Sequence, residues 1–293
     1  MKKAVRLGFL LVALGFGAWV VAKQWDAVLA GFARLTWPMV AGSLVSVVAA
    51  LLAAMLTWRT LLADLGSPLR LRPAARVFFV GQLGKYIPGA VWPVLAQMEM
   101  GKDLGVPRAR SAAAFFLMMP IQLATGLLVT LVTLGWDRFG WALLLIPVLA
   151  VLLEPKVINS LIGFGLRKLK REPLERPLTR RGMLIALAWS VAGWTAYGAH
   201  LYLLAADMGA SGGLLFSVGA FALTWCLGIM TFVVPAGAGV REAAMVAVMS
   251  PVLDRGSALA LALCSRMVII LGDLVCAAIA GAAAKSAMDR NSV

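Results

Sequence analysis

The segment VFFVGQLGKYIPGAVWPVLAQMEM, residues 77–100, is apolar but is interrupted in its middle by GKYIPGAVWP. Pro88 and Pro93 each remove a backbone N–H donor, and each biases the preceding residue away from the helical region. Backbone groups freed in this way at membrane depth must be buried in protein or line a cavity. The segment therefore predicts two half-helices that enter and leave the bilayer on the same side, an arrangement called re-entrant.

The composition around this segment is that of a membrane protein. Of the 293 residues, 62% are hydrophobic and only 14% are charged, whereas soluble domains carry roughly a quarter charged residues. The apolar residues occur in blocks close to the ~20 residues that cross a bilayer. We predict an all-α, polytopic transmembrane bundle with spans at 7–22, 38–58, 111–135, 141–153, 183–206, 214–234 and 257–284. The first span is expected to be retained as a signal anchor, and a cleaved signal peptide is the alternative.

A second interrupted stretch, PAGAGVREAAMVAVMSPVLD at residues 235–254, precedes the last span. Each half of the chain thus contains one broken segment, which is typical of transporters built from inverted repeats around a site near the bilayer midplane. We predict a single transmembrane domain with a first half of about 1–155, a basic cytoplasmic connection at 156–181 and a second half of about 182–293.

The formal net charge of +14 indicates a membrane orientation rather than nucleic-acid binding. With the predicted spans, eighteen Lys and Arg residues fall on one side of the membrane and three on the other. The positive-inside rule then places the N-terminus in the cytoplasm of a multi-pass protein of the cytoplasmic membrane, facing its anionic leaflet. Within 156–181, apolar residues at helical spacing fit either an amphipathic helix on the bilayer surface or a solvated loop.

Six ionisable residues inside apolar stretches are candidates for function, because each costs about 2.5–3.5 kcal/mol at the centre of a membrane helix. They are Lys85, Glu99, Arg241, Glu242, Arg266 and Asp273. Lys85 is interpreted as an ammonium that meets an anionic headgroup beside the following half-helix, and a snorkelling lysine is the alternative.

Arg241 opposes the dipole of the helix that it opens, so it needs an anionic partner. The sequence leaves four candidate partners open: Glu242, Glu99, Asp273 or a lipid phosphate. Arg266 and Asp273 share a helix face but lie ~10 Å apart along the axis, so each is expected to have a different partner.

The stretches GKYIPGAVW (84–92) and PAGAGVREA (235–243) resemble the two motifs of the flippase-like family, the transmembrane domain of lysyl-phosphatidylglycerol synthases. Ala236 and Ala238 depart from the second motif, whereas its other characteristic positions match. The resemblance implies translocation of an aminoacylated or similar phospholipid. We expect no synthase domain after the last span, so synthase activity is not carried over. The predicted substrate-binding residues are Lys85, Tyr86, Pro88, Gly89, Trp92, Glu99, Pro235, Gly237, Gly239, Arg241, Glu242, Arg266 and Asp273.

Three functions follow from these observations. The first is a lipid translocase acting on a phospholipid or a polyprenyl-linked lipid. The second is a non-catalytic membrane partner of a lipid- or glycan-modifying enzyme, which would dock on 156–181. The third is a membrane-embedded transferase or hydrolase with Glu99, Glu242 or Asp273 as general base. A single histidine, His200, argues against multi-histidine metal sites, and we expect no catalytic set, metal or cofactor.

Overall fold

The computed structural model describes residues 25–86, 91–134, 147–148, 151, 153–168, 176–230 and 239–291. The regular structure of these residues is helical. The helices are α1 (Trp25–Ala33), α2 (Trp37–Asp64), α3 (Leu71–Gln82), α4 (Trp92–Lys102), α5 (Arg108–Leu134), α6 (Pro155–Lys168), α7 (Arg180–Asp207), α8 (Leu214–Met230), α9 (Val240–Met249) and α10 (Arg255–Asn291). A short 3-10 turn, Leu83–Tyr86, continues α3.

The chain is an all-α membrane bundle, as predicted. Among the residues that the structure describes, three helices are long and apolar enough to cross a membrane: α2, α5 and the part of α10 that runs from Arg255 to Ala283. The predicted span at 183–206 lies within α7, and α8 is a shorter apolar helix. The span at 7–22, most of the span at 141–153 and the end of the span at 214–234 lie outside the described residues.

Helices α3 and α4 form an antiparallel pair, here called hairpin 1. Gly81 lies against Gln97, and nearer the tip Gly84 lies against Pro93. A β-carbon at Gly84 would be 2.8 Å from the Pro93 nitrogen, so only glycine lets the two arms come this close. The break predicted at GKYIPGAVWP thus coincides with a reversal of chain direction.

Helices α8 and α9 form a second antiparallel pair, hairpin 2. At its open end the Ser211 N–H donates to the Val252 carbonyl at 3.4 Å. Near its tip Gly228 of α8 lies against the Arg241 side chain of α9. The connection between the arms, residues 231–238, is outside the described residues, so the tip of hairpin 2 here means its described end at Gly239–Glu242.

Helices α2 and α7 pack side by side in opposite directions and cap each other. At one end, Asp207 of α7 accepts hydrogen bonds from the N–H and, at 2.9 Å, the hydroxyl of Thr36, which precedes α2. At the other end, Asp64 of α2 accepts from the N–H and the hydroxyl of Thr179, at 2.6 and 2.8 Å. Thr179 is the N-cap of α7. Each helix start is therefore bonded to a carboxylate at the end of its partner.

The same pattern of bonds thus occurs twice along the chain, and we refer to α2–hairpin 1–α5 and α7–hairpin 2–α10 as the first and the second unit. Thr179 and Asp207 lie 143 residues after Thr36 and Asp64, respectively. Because α2 and α7 are antiparallel, the two hairpins open towards opposite ends of the bundle. At the Asp64 end, Arg110 of α5 donates to the Gly66 carbonyl at 3.0 Å, which places the start of α5 beside the start of hairpin 1.

Part of the basic connection is helical rather than a plain loop. In α6, Ile158 is buried whereas Leu161 and Phe164 are each 59% exposed. The Asn159 side chain exchanges two hydrogen bonds with the backbone of Leu178, at 3.0 and 2.9 Å. This amphipathic helix is therefore fixed to the bundle by one face.

Candidate functional site

The tip of hairpin 1 is bonded to α10 through one buried carboxylate. The Lys85 Nζ lies 2.6 Å from Oδ2 of Asp273. The Tyr86 hydroxyl donates to the same oxygen at 2.5 Å. The Asp273 side chain is 3% exposed and that of Lys85 is 37% exposed, so the pair joins a buried anion to a cation that solvent still reaches.

The tip of hairpin 2 is bonded to the same helix. Gly239 caps α9 with φ of +82°, in the left-handed region that favours glycine. Its N–H donates to Oε2 of Glu242 at 2.6 Å, and the other Glu242 oxygen is paired with Arg266 of α10. Arg266 and Asp273 therefore have different partners, as their spacing predicted, and both hairpin tips converge on α10.

Arg241 has a different environment from the other cations of the site. Its aliphatic part lies over Gly228, and its guanidinium is 5.9 Å from the centroid of the Phe221 ring, in cation–π range. Among the residues that the structure describes, no carboxylate is paired with it. The protein partners that the sequence offered are bonded elsewhere: Glu242 to Arg266, and Asp273 to Lys85.

A cavity of about 170 Å³ lies beside the tip of hairpin 1, in the centre of the bundle. Lys85 and Asp273 line it together with residues of α2, α3, α5, α7 and α8. Its polar wall includes the side chains of Gln82, Gln122 and Ser190. The ion pair of the tip thus faces a partly open cavity inside the bundle.

Residues at matching positions of the two units line the cavity. Four pairs of its lining residues are 143 residues apart, the spacing that relates the two units: Ala50 and Gly193, Leu51 and Trp194, Ala54 and Tyr197, and Gln82 and Trp225. The same place in each unit therefore contributes to one wall.

At these matching positions the two units carry side chains of different size. In the second unit Tyr197 stacks on Phe221 with ring centroids 4.8 Å apart, and Trp194 meets Trp225 edge-on at 5.0 Å. These aromatic rings fill the space between α7 and hairpin 2. In the first unit the smaller residues Leu51 and Ala54 stand at the equivalent positions. The cavity is therefore bounded by small residues of α2 and by the rings of α7 and α8.

Other predicted site residues are not brought to the cavity, or are not described. Glu99 is 63% exposed and pairs with Arg108 at 2.7 Å; the Arg108 guanidinium holds the pKa of this carboxyl below its usual range. Trp92 is 45% exposed at the start of α4. Pro88, Gly89, Pro235 and Gly237 lie outside the described residues.

Each carboxylate considered as a general base is bonded to a cation. Glu99 is paired with Arg108, Glu242 with Arg266, and Asp273 with Lys85. His200 is fully buried and bonded on both ring nitrogens, to the Tyr197 carbonyl at 2.5 Å and to the Ser265 hydroxyl at 2.8 Å. A carbonyl can only accept, so Nδ1 carries a proton and donates to it. His200 therefore packs between α7 and α10 with both ring nitrogens bonded.

The sequence prediction relied on ionisable residues and the two motifs, so it did not include the uncharged polar and aromatic side chains of the cavity. Gln82 and Gln122 are polar amides surrounded by apolar residues in the sequence, and a polar residue in such a stretch could have indicated a lining position. Trp189, Trp194 and Trp225 gave no comparable signal, because tryptophans near the ends of spans are typical of interface anchors.

Comparison with known proteins identifies one family. The family model described as the lysylphosphatidylglycerol synthase TM region matches residues 6–276. No curated protein matches the chain.

Proposed function

Because the chain belongs to the lysylphosphatidylglycerol synthase TM region family, we propose that it translocates a lipid with an anionic or polar headgroup across the cytoplasmic membrane. The observation that carries this proposal is the convergence of two oppositely directed hairpin tips on α10, beside a central cavity lined by Lys85 and Asp273. Opposed broken helices around a central site are the arrangement that transporters use.

Hairpin 1 is too short to cross the membrane. Its arms, α3 and α4, have 12 and 11 residues, which is about 18 Å of helix at 1.5 Å per residue. The hydrocarbon core is ~30 Å thick. In this proposal the tip of hairpin 1 therefore ends inside the membrane and hairpin 1 is re-entrant, while hairpin 2 opens towards the opposite end of the bundle.

The basic residues favour one orientation. Arg70, Arg72 and Arg76 stand at the open end of hairpin 1, where Arg108 and Arg110 also begin α5. By the positive-inside rule this end faces the cytoplasm, and hairpin 2 opens to the other side. The headgroup then enters beside hairpin 1, on the side where the cavity lies.

Lys85 exchanges partners in this mechanism. A headgroup phosphate that enters the cavity competes with Asp273 for the ammonium, and a charge-assisted hydrogen bond replaces the ion pair. Asp273 keeps the hydroxyl of Tyr86 as its donor. Arg241, at the tip of hairpin 2, is the second cation on the path. In this proposal only the headgroup enters the cavity, and the acyl chains stay in the bilayer.

The test is lipid translocation in proteoliposomes, measured with acyl-labelled phosphatidylglycerol and a membrane-impermeant quencher. Lys85→Ala and Arg241→Ala are each expected to lower the rate about tenfold, equivalent to about 1.4 kcal/mol. Lys102→Ala is the control, because Lys102 ends α4 on the exposed surface. Unchanged rates in both site variants would contradict the mechanism.

A further inference from the structure

Helix α6 has an apolar face that the bundle does not cover. Its first apolar face packs inward, where Pro155 and Ile158 are buried. Leu161 and Phe164 lie on a different face, and each side chain is 59% exposed. With 3.6 residues per turn, Phe164 projects about 120° away from Ile158. A helix that served only to pack on the bundle would need one apolar face, so this second face requires another apolar surface.

The remaining face of α6 and its C-terminal end are basic. Lys156 and Arg167 lie on this third face, about a third of a turn from the exposed apolar face. Lys168 follows Phe164 by about one turn, and all three cations are exposed. Exposed apolar residues beside lysine and arginine are the pattern of helices that lie in the headgroup layer of a membrane.

The contacts of α6 place it at the level of that layer. Helix α2 has 28 residues, about 42 Å at 1.5 Å per residue, so it extends beyond the ~30 Å hydrocarbon core. Its last residue, Asp64, accepts hydrogen bonds from Thr179. The preceding residue, Leu178, is bonded to the Asn159 side chain of α6. Helix α6 is therefore tied to the end of a spanning helix, where acyl chains meet headgroups.

The charge of this end of the bundle identifies the surface. Arg70, Arg72 and Arg76 stand at the same end, which the positive-inside rule assigns to the cytoplasmic side, where the leaflet is anionic. An anionic leaflet offers an apolar interior to Leu161 and Phe164 and phosphates to the basic residues. It also lies directly beside α6, so no second protein is needed to cover the apolar face.

We propose that α6 inserts Leu161 and Phe164 into the cytoplasmic leaflet, and that Arg167 and Lys168 hold it there by binding anionic headgroups. This surface site is separate from the central cavity. The inference therefore does not depend on lipid translocation.

The first test is the depth of a nitroxide label on single introduced cysteines, with the full chain in nanodiscs of phosphatidylglycerol and phosphatidylcholine. Leu161→Cys and Phe164→Cys probe the apolar face, and Lys156→Cys probes the basic face. Val45→Cys, at a 70% exposed position of α2, is the reference for the acyl layer. The native cysteines are buried, and labelled protein without an introduced cysteine corrects for them.

Labels at positions 161 and 164 are expected to collide with oxygen more often than with a water-soluble nickel chelate, as the label at position 45 does. Oxygen concentrates in the acyl layer, whereas the chelate stays in water. The label at position 156 should collide mainly with the chelate. Labels at 161 and 164 that meet mainly the chelate would indicate a solvated face that awaits a protein partner. Labels shielded from both reagents would indicate a face covered by protein, such as a second copy of the chain. Either result would overturn the proposal.

The second test measures hydrogen exchange of the α6 amides in the same nanodiscs. Each basic residue near an anionic leaflet contributes about fivefold to binding. Arg167→Gln combined with Lys168→Gln should therefore speed exchange more than about tenfold, since a helix of 14 residues is marginal without its contacts. Omitting phosphatidylglycerol should have a similar effect on the wild-type chain.

Arg72→Gln combined with Lys102→Gln is the matched control. It removes the same charge from exposed positions outside α6, so exchange of the α6 amides should stay at the wild-type rate. Equal exchange in the two double variants, or exchange that is unaffected by phosphatidylglycerol, would overturn the role of anionic lipid.

Discussion

At the residue scale, the account depends on Asp273 and the two groups that share one of its oxygens. A carboxylate that is 3% exposed is costly without a counter-charge. Lys85 supplies the charge and Tyr86 a hydrogen bond. An ion pair of this kind is compatible with a purely structural role as well as with lipid binding. Separating these roles requires a variant that restores stability without restoring the cation.

The double variant Lys85→Ala/Asp273→Asn provides that separation. Lys85→Ala alone is expected to lower the free energy of unfolding by about 2 kcal/mol, less than for a fully buried pair because Lys85 is 37% exposed. Adding Asp273→Asn removes the uncompensated charge and should recover most of this loss. Chemical denaturation in detergent measures the stability, and the proteoliposome assay measures transport.

If Lys85 binds the headgroup, the double variant is stable but remains about tenfold slower in transport. Recovery of the wild-type rate together with stability would show that the pair is structural only.

At the element scale, the hairpins depend on close approach of their arms. Gly84→Val is expected to lower the free energy of unfolding by about 1–3 kcal/mol. The added β-carbon would meet backbone atoms of Trp92 and Pro93 at 2.9 and 2.8 Å, which cannot move aside independently. The measurement is the unfolding midpoint in detergent.

Gly281→Ala is the control for this variant. Gly281 lies inside α10 with no atom near its missing β-carbon, so alanine should be neutral or stabilise by about 0.5–1 kcal/mol. Equal effects of the two substitutions would contradict the close packing of hairpin 1.

The sequence was sufficient to predict the two breaks, because proline and glycine act through local backbone chemistry. It also predicted that Arg266 and Asp273 have separate partners, because helix geometry fixes their separation. It did not reveal that Lys85 pairs with Asp273 or that Glu242 pairs with Arg266. Those partners depend on how α10 packs against both hairpins, which periodicity within one helix does not specify.

The sequence did not predict the cavity, for a related reason. Leu51 and Ala54 line it together with the larger Trp194 and Tyr197, which lie 143 residues further along the chain. Each residue is unremarkable within its own helix. Only the packing of α2 against α7 brings them around one space.

At the scale of the whole molecule, α2 and α7 form a frame that is fixed at both ends by equivalent bonds. Asp64→Ala and Asp207→Ala should each lower the free energy of unfolding by about 1–2 kcal/mol, since each removes bonds to a helix start. The sites are far apart, so the two losses should add in the double variant to within about 0.5 kcal/mol. Asp26→Ala, at an exposed position of α1, is the control. Losses in the free energy of unfolding that do not add in the double variant would contradict the independence of the two Asp–Thr contacts.

The two hairpins are held differently within this frame, so we expect them to move differently. Stacked rings join hairpin 2 to α7, whereas the tip of hairpin 1 stands beside open space and is bonded to α10 through Asp273. Hairpin 1 is therefore the element expected to shift when Lys85 exchanges partners. The passage of the headgroup through the central cavity is the claim on which the whole account depends.

Filling the cavity tests that claim most directly. The measurement is the translocation rate of Ala54→Trp in proteoliposomes, compared with Val45→Trp, which places the same ring on the 70% exposed surface of the same helix. The account predicts that Ala54→Trp keeps its unfolding midpoint and loses at least about tenfold in rate, while Val45→Trp transports like the wild type. Equal, wild-type rates for both variants would show that the headgroup does not pass through this cavity.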